Sequence, residues 1–211
     1  MKTIKIKASK IISILDKLYP FDFKCFLNHE EPWQLLFATI LSAQCTDDRV
    51  NKVTEGLFKK YPTLEDFAYA DIKTLADDVR STGFFRVKAG NIINSAEILV
   101  NKHGGRVPSD IESLTALPGV GRKTANVVRG HIFRIPSIVV DTHVIRLSGR
   151  LGLTVNKDPV KIEYDLMKIL PEENWISYNQ QIITHGRRIC TARSPKCANC
   201  DLFNFCVDKN M

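Results

Sequence analysis

The strongest constraint on this chain is its punctuation. Helix starts and stops recur at short intervals, and no stretch between them reads as a convincing strand. Pro32 heads "WQLLFATILSA", a first-turn position where its missing N–H has no partner to lose. Thr46, followed by Asp47 and Asp48, puts a capping hydroxyl and two acids at the start of "RVNKVTEGLFKKY", and Pro62 follows the end. Asp71 is placed to cap "IKTLADDVRST", with Gly83 just past it. "VKAGNIINSAEILVNKHGG" spaces its apolar residues at helical period and stops on Gly104 and Gly105. Ser109 with Glu112 has capping-box spacing. Asp158 and Pro159 open "VKIEYDLMKIL", Pro171 closes it, and a further helix runs through "WISYNQQIITHG". "IPSIVVDTH" is β-branched, but one short run makes no sheet. The reading is all-α, roughly nine or ten helices, with the N-terminal helix free to pack beside the C-terminal ones.

A length of 211 residues suits one large domain or two small ones, and 44% hydrophobic with 25% charged residues is ordinary for a globular chain. The net charge of +7 favours a polyanionic partner. No run of about 18 apolar residues exists, so no membrane association is expected. The basic N-terminus "MKTIKIKASKIISIL" lacks a sustained apolar region and a small-residue cleavage site. That points to no secretory signal, and to a reducing cytoplasm. In that compartment six cysteines are not read as disulfides. Cys25 and Cys45 stand alone, while Cys190, Cys197, Cys200 and Cys206 crowd into "CTARSPKCANCDLFNFC". Four thiolates so close suit a metal site, but the spacing matches neither the ferredoxin patterns nor the two close pairs of a zinc knuckle. Spacing alone leaves the metal unnamed.

"LPGVGRKTANVV" reads as the turn and second helix of a helix–turn–helix over residues 113 to 128. Pro118 ends the first helix. Gly119 and Gly121 permit positive φ and let another surface come close. Arg122 opens a helix whose first N–H groups would bind a single backbone phosphate without regard to base sequence. A P-loop would need glycine at Ala116 and lysine at Arg122, and a dinucleotide loop needs a preceding strand and a third glycine. A tight helix–helix connection with a solvated lysine accounts for the spacing equally well.

"LPGVGRKTANVV" resembles the helix-hairpin-helix of the endonuclease III family of DNA glycosylases. "VDTHVIRLSGRLGL" resembles that family's catalytic-aspartate segment and "LSAQCTD" its early "LSAQ" stretch. The C-x6-C-x2-C-x5-C tail resembles its cluster loop. The resemblance covers roughly residues 20 to 206. It implies two helical domains around an interdomain DNA-binding cleft. Residues 25–135 would carry the hairpin; residues 1–24 plus 136–211 would carry a [4Fe-4S] cluster, mainly structural, on the four cysteines. The implied partner is duplex DNA holding a damaged base or abasic site, bound by a monomer, cytoplasmic and nucleoid-associated if bacterial.

Lys123 is the candidate nucleophile. A helix N-terminus and the neighbouring Arg122 disfavour its charged form, while bound phosphates oppose that shift. A neutral amine can displace a base at C1′ and leave an imine, from which elimination cleaves the strand on the 3′ side. A carboxylate would stabilise the cationic sugar, and Asp141 is the candidate. A helix over 122–134 is about 18 Å long, and the steps to Asp141 reach about 23 Å extended, so a return to the helix start is feasible. By sequence alone Asp141 reads equally as the N-cap of "THVIRLSGR"; the resemblance assigns it the catalytic part, and capping is compatible with that.

By the same resemblance Gln44 and Phe84 fill the gap left by a flipped nucleotide, one of Phe84 and Phe85 being a core aromatic instead. Phe84-Phe85-Arg86 and Cys45 depart from the family's usual pattern. Gly119, Val120, Gly121 and Arg122 would contact the backbone, as would Arg193 and Lys196 between the first two cysteines. His29, His103, His131, His143 and His185 show no metal-like pairing, and His143, two residues after Asp141, is placed to support it. The implied activity is a glycosylase and abasic-site lyase acting on oxidised pyrimidines. A mismatch-specific thymine or adenine glycosylase would lack Lys123, and the adenine-specific kind would need more chain than the five residues after Cys206. A non-catalytic DNA-binding iron–sulfur protein would not need Lys123 and Asp141 together.

Overall fold

The protein is described by a computed structural model covering residues 2–207. Its described residues form eleven α-helices and four 3₁₀ turns, with no strand among them. They divide into two compact units, one from Cys25–Arg134 and the other from Met1–Lys24 with Ile135–Met211. The N-terminal helix α1 (Lys2–Leu18) therefore belongs with the C-terminal part of the chain, on which its Ala8, Ile11 and Leu15 are fully buried.

Within Cys25–Arg134 the order is α2 (Pro32–Leu41), α3 (Asp47–Lys60), α4 (Leu64–Ala68), α5 (Ile72–Asp78), α6 (Phe85–His103), α7 (Ile111–Thr115) and α8 (Arg122–Phe133). Helix α2 is buried along its whole length, which is why its sequence is apolar all round. Trp33 and Phe37 meet Phe67 of α4 at ring centroid distances of 5.5 and 5.1 Å, and Phe58 of α3 stands edge-on to Trp33 at 5.5 Å. Each such buried ring stabilises the unit by about 1.5–3 kcal/mol.

The expected caps at Thr46, Asp71 and Asp158 each accept a backbone N–H three residues on. The expectation at Ser109 moves by one residue. Asp110 is the cap of α7, its Oδ1 accepting from Ser113 N at 2.7 Å, because an ionised carboxylate is the stronger acceptor. The helix expected through Thr82 stops at Asp78 and tightens into a 3₁₀ turn, Arg80–Thr82, ahead of Gly83 at φ +71°.

The other unit contains α1, α9 (Thr142–Arg150), α10 (Pro159–Ile169) and α11 (Trp175–Arg188). Its core joins Ile11, Leu15, Val144, Leu147, Leu166, Tyr178 and Ile182. Burial holds the Tyr178 phenol well above its usual pKa, so it stays protonated and bonds Ser148 Oγ at 2.9 Å. The β-branched run 137–140 is a buried loop, held where Asn179 Nδ2 of α11 donates to Val139 O at 2.8 Å. Among the described residues no helix is long and apolar enough to cross a membrane.

Candidate functional site

The hairpin forms as α7, a turn and α8. Gly119 lies at φ +77°, and a Cβ there would meet Asn91 Nδ2 at 2.6 Å, so the position requires glycine twice over. Gly121 sits at φ −91°, ψ 175°, ordinary extended backbone, with open space where a Cβ would go. Its glycine is required by nothing within the chain. Ser95 of α6 donates to Pro118 O at 3.0 Å and pins the turn. Val120 differs from expectation. Its side chain is buried and its N–H donates to Leu117 O at 3.1 Å, so it holds the turn together and presents no free donor. Gly121 is the N-cap of α8, and at such a helix start geometry leaves the N–H groups of the first turn without intrahelical acceptors. Lys123, the second residue of α8, is exposed on that turn.

Asp141 is the N-cap of α9. Its Oδ1 accepts from Val144 N at 2.8 Å, and its Oδ2 lies 3.2 Å from His143 Nδ1. A carboxylate oxygen only accepts, so this contact is a hydrogen bond in the Nδ1–H tautomer of His143. The Asp141 side chain keeps 14% of its surface exposed. His143 is fixed in turn against α11, since a Cβ on Gly186 would come within 2.8 Å of its Cδ2. Lys123 belongs to the unit Cys25–Arg134 and Asp141 to the other.

Gln44 and Phe84 are both exposed, and both adopt left-handed backbone, at φ +54° and +48°. That is an unusual conformation for residues other than glycine, and it concentrates at functional sites. Phe84 is 65% exposed, whereas Phe85 opens α6 and packs partly against the core, with the Arg80 and Arg86 guanidiniums 5.7 and 5.6 Å from its ring. The expected division between a presented and a core aromatic thus falls between these two residues.

Cys190, Cys197, Cys200 and Cys206 line one small cavity with Ile189, Pro195, Lys196 and Phe203. Burial, and then the neighbouring thiols, push Cys200 and Cys206 above the usual thiol pKa. Among the described residues no three His, Cys, Asp or Glu side chains converge as a single bound ion would demand. Arg150 clamps the loop from α9, donating to Cys190 Sγ at 3.2 Å and to Thr191 O and Ala192 O at 2.9 and 3.2 Å. Buried Leu202 anchors the loop from within, and Arg193 and Lys196 are exposed. The anchors Asn91, Ser95 and Arg150 carry no sequence signal, because each works through a contact distant along the chain.

The HhH-GPD superfamily base excision DNA repair protein model matches residues 37–172. Endonuclease III of Synechocystis sp. is 51% identical over 207 residues, covering 98% of this chain and 94% of that protein. Endonuclease III of Bacillus subtilis is 46% identical over 184 residues, 87% of this chain and 84% of that one. A solved structure described as a trapped endonuclease III–DNA covalent intermediate, in an estranged-adenine complex, matches with a TM-score of 0.91 at 44% identity, over 96% of this chain and 95% of that chain. A thermostable thymine-DNA glycosylase, 23% identical with a TM-score of 0.86, shares the fold. Half-identity along nearly the whole chain, on the all-α architecture and hairpin described above, makes this protein a member of the endonuclease III family.

Proposed function

We propose that this chain excises damaged pyrimidines from duplex DNA and cleaves the strand at the resulting abasic site, with Lys123 as nucleophile and Asp141 as its carboxylate partner. The observation that carries this reading is the exposed lysine on the first turn of a helix whose preceding turn offers glycine and backbone N–H groups to a phosphate. A relative 44% identical has been trapped as a covalent intermediate with DNA, and such a bond needs a nucleophile. The resemblance of its hairpin to the family's makes Lys123 the candidate.

The chemistry follows from the residues. Phosphate held at Gly121 and the start of α8 sets the register of the backbone. Unprotonated Lys123 Nζ attacks C1′, and the base leaves with the electron pair of the glycosidic bond. Asp141, its second oxygen within hydrogen-bond reach of His143 Nδ1, would stabilise positive charge developing on the sugar and take the proton the amine sheds. Opening of the sugar gives a protonated imine; loss of the C2′ proton then expels the 3′ phosphate. Gln44 and Phe84 fill the gap in the duplex.

The cysteine-lined cavity is the candidate seat of a [4Fe-4S] cluster held by Cys190, Cys197, Cys200 and Cys206, a reading supported by four thiols lining one cavity and by the loop's resemblance to the family's cluster loop. Bound there, the group would serve as a crosslink that folds the loop. The loop then presents Arg193 and Lys196 to phosphate. Thiols kept for such a group require a reducing compartment, which supports a cytoplasmic setting.

Borohydride should trap the protein covalently on abasic-site DNA, and Lys123→Ala should abolish the trap while leaving DNA binding within about threefold, a change near 0.7 kcal/mol. Trapping by Lys123→Ala at the parental level would remove Lys123 from the mechanism. Asp141→Asn preserves the cap, since Asn caps about as well as Asp, and should lose most turnover at unchanged stability.

A further inference from the structure

Lys88 lies in the first turns of α6 with only 4% of its surface exposed. Its Nζ donates to Leu41 O and to Thr82 O, both at 2.7 Å. Leu41 is the last residue of α2, from which the chain turns directly into the loop carrying Gln44. Thr82 ends the 3₁₀ turn from which it passes through Gly83 to Phe84. A single buried ammonium thus grips the roots of both the Gln44 and the Phe84 loops, two of the four sites where a residue other than glycine takes left-handed backbone.

An ordinary core position does not account for this. A buried ammonium is costly unless hydrogen-bonded, and burial lowers the pKa of Lys88, with a smaller opposing influence from Cys45. Closing α2 would need only its own last carbonyls, and a glycine or a serine does that. The second acceptor comes from a separate loop. What the lysine adds is a fixed distance between two carbonyls that no helix or backbone ladder connects.

We propose that Lys88 is a positioning residue that locks the Gln44 and Phe84 loops to each other, so that both side chains enter the duplex in one fixed register. This rests on the reading that Gln44 and Phe84 fill the gap behind a flipped nucleotide. Filling works only if both wedges arrive at the spacing the opened stack presents, and two independently mobile loops would lose that spacing. Lys88 touches neither DNA nor the reacting atoms.

Lys88→Met keeps the aliphatic stem and removes the donors. In the free protein, amide hydrogen exchange should quicken over residues 42–45 and 82–85 together, with the remainder of residues 25–134 unchanged. Quickening in one loop alone, or throughout the unit, would overturn the proposal, because it would make Lys88 a helix cap or a general core residue. In activity, excision of a lesion paired with its complementary base should fall roughly tenfold, and excision of the same lesion mispaired only about twofold, since flipping a mispaired base is less costly. Equal loss on both duplexes would mark a structural defect and sink the idea. Gln44→Ala and Phe84→Ala serve as references. If they shift the paired-to-mispaired ratio and Lys88→Met does not, the proposal fails while the gap-filling reading stands. If neither reference shifts it, the gap-filling reading fails, and the exchange measurement still decides whether Lys88 couples the loops.

Discussion

At the scale of single residues, the two glycines of the hairpin separate folding from binding. Gly119 takes a left-handed φ of +77°, and any Cβ there meets the Asn91 side chain. Gly119→Ala should therefore destabilise the unit by about 1–3 kcal/mol, read as a fall in denaturation midpoint, and weaken DNA binding along with it. Gly121 has extended backbone and open space around it. Gly121→Ala should leave the midpoint unchanged and still weaken DNA binding, since the methyl would stand between the start of α8 and a phosphate. Unchanged binding by Gly121→Ala would mean that no phosphate approaches this helix start. The sequence made both glycines visible but not which of them was conformational, because φ depends on how the turn seats against α6. The burial of Val120 and its bond to Leu117 O were hidden for the same reason, since both are properties of the closed turn. The candidates Lys123 and Asp141 came from short motifs, whereas the bond from His143 back to Asp141 needed the cap geometry of α9 before it became more than proximity in sequence.

At the scale of elements, legibility followed locality. Caps at Thr46, Asp71 and Asp158 bond N–H groups three residues away, so the residues that make them stand side by side in the chain. The loop 135–141 was ambiguous because its β-branched residues are buried by packing and not by pairing, as the Asn179 bond to Val139 O shows. Asp165 illustrates a tertiary tie of the same kind. Its Oδ2 accepts from Thr154 Oγ1 and Asn156 Nδ2, both at 2.6 Å, fastening the turn between α9 and α10 onto α10. These hydrogen bonds, Thr154 first, hold its carboxyl below the usual pKa. A depressed folded-state pKa adds stability that is present above the unfolded value of about 3.9 and is lost as pH falls through the folded value. Asp165 is largely solvated, so the effect is modest. Asp165→Asn should lower the urea midpoint at pH 7, and the gap between parent and variant should close as the pH falls below about 4. A gap that persists unchanged at low pH would show that the carboxylate's charge contributes nothing.

At the scale of the whole molecule, the two units solve the burial problem differently. Cys25–Arg134 is a single stretch of 110 residues, with a core that joins α2, α3, α4, α6, α7 and α8 through Phe37, Leu57, Phe67, Leu99, Leu114 and Val128. The other unit is assembled from two separate stretches of chain and carries the cysteine loop, where Cys190, Cys200 and Cys206 pack only partly against its core. Composition could not divide the chain because both units draw on the same residue types and no Gly-, Ser- or Pro-rich segment separates them. A contiguous unit of this size buries close to two thirds of its unfolded surface, enough to fold without a crosslink. Residues 25–134 expressed alone should accordingly be helical by circular dichroism and unfold cooperatively in urea, with or without iron in the medium. In the full-length chain, iron chelation under reducing conditions should speed amide exchange over residues 189–206 and over the α9 segment that Arg150 ties to them, leaving residues 25–134 at their original rates. A fragment that melts without cooperativity, or a chelated protein that loses protection evenly along its length, would show that neither core stands without the other.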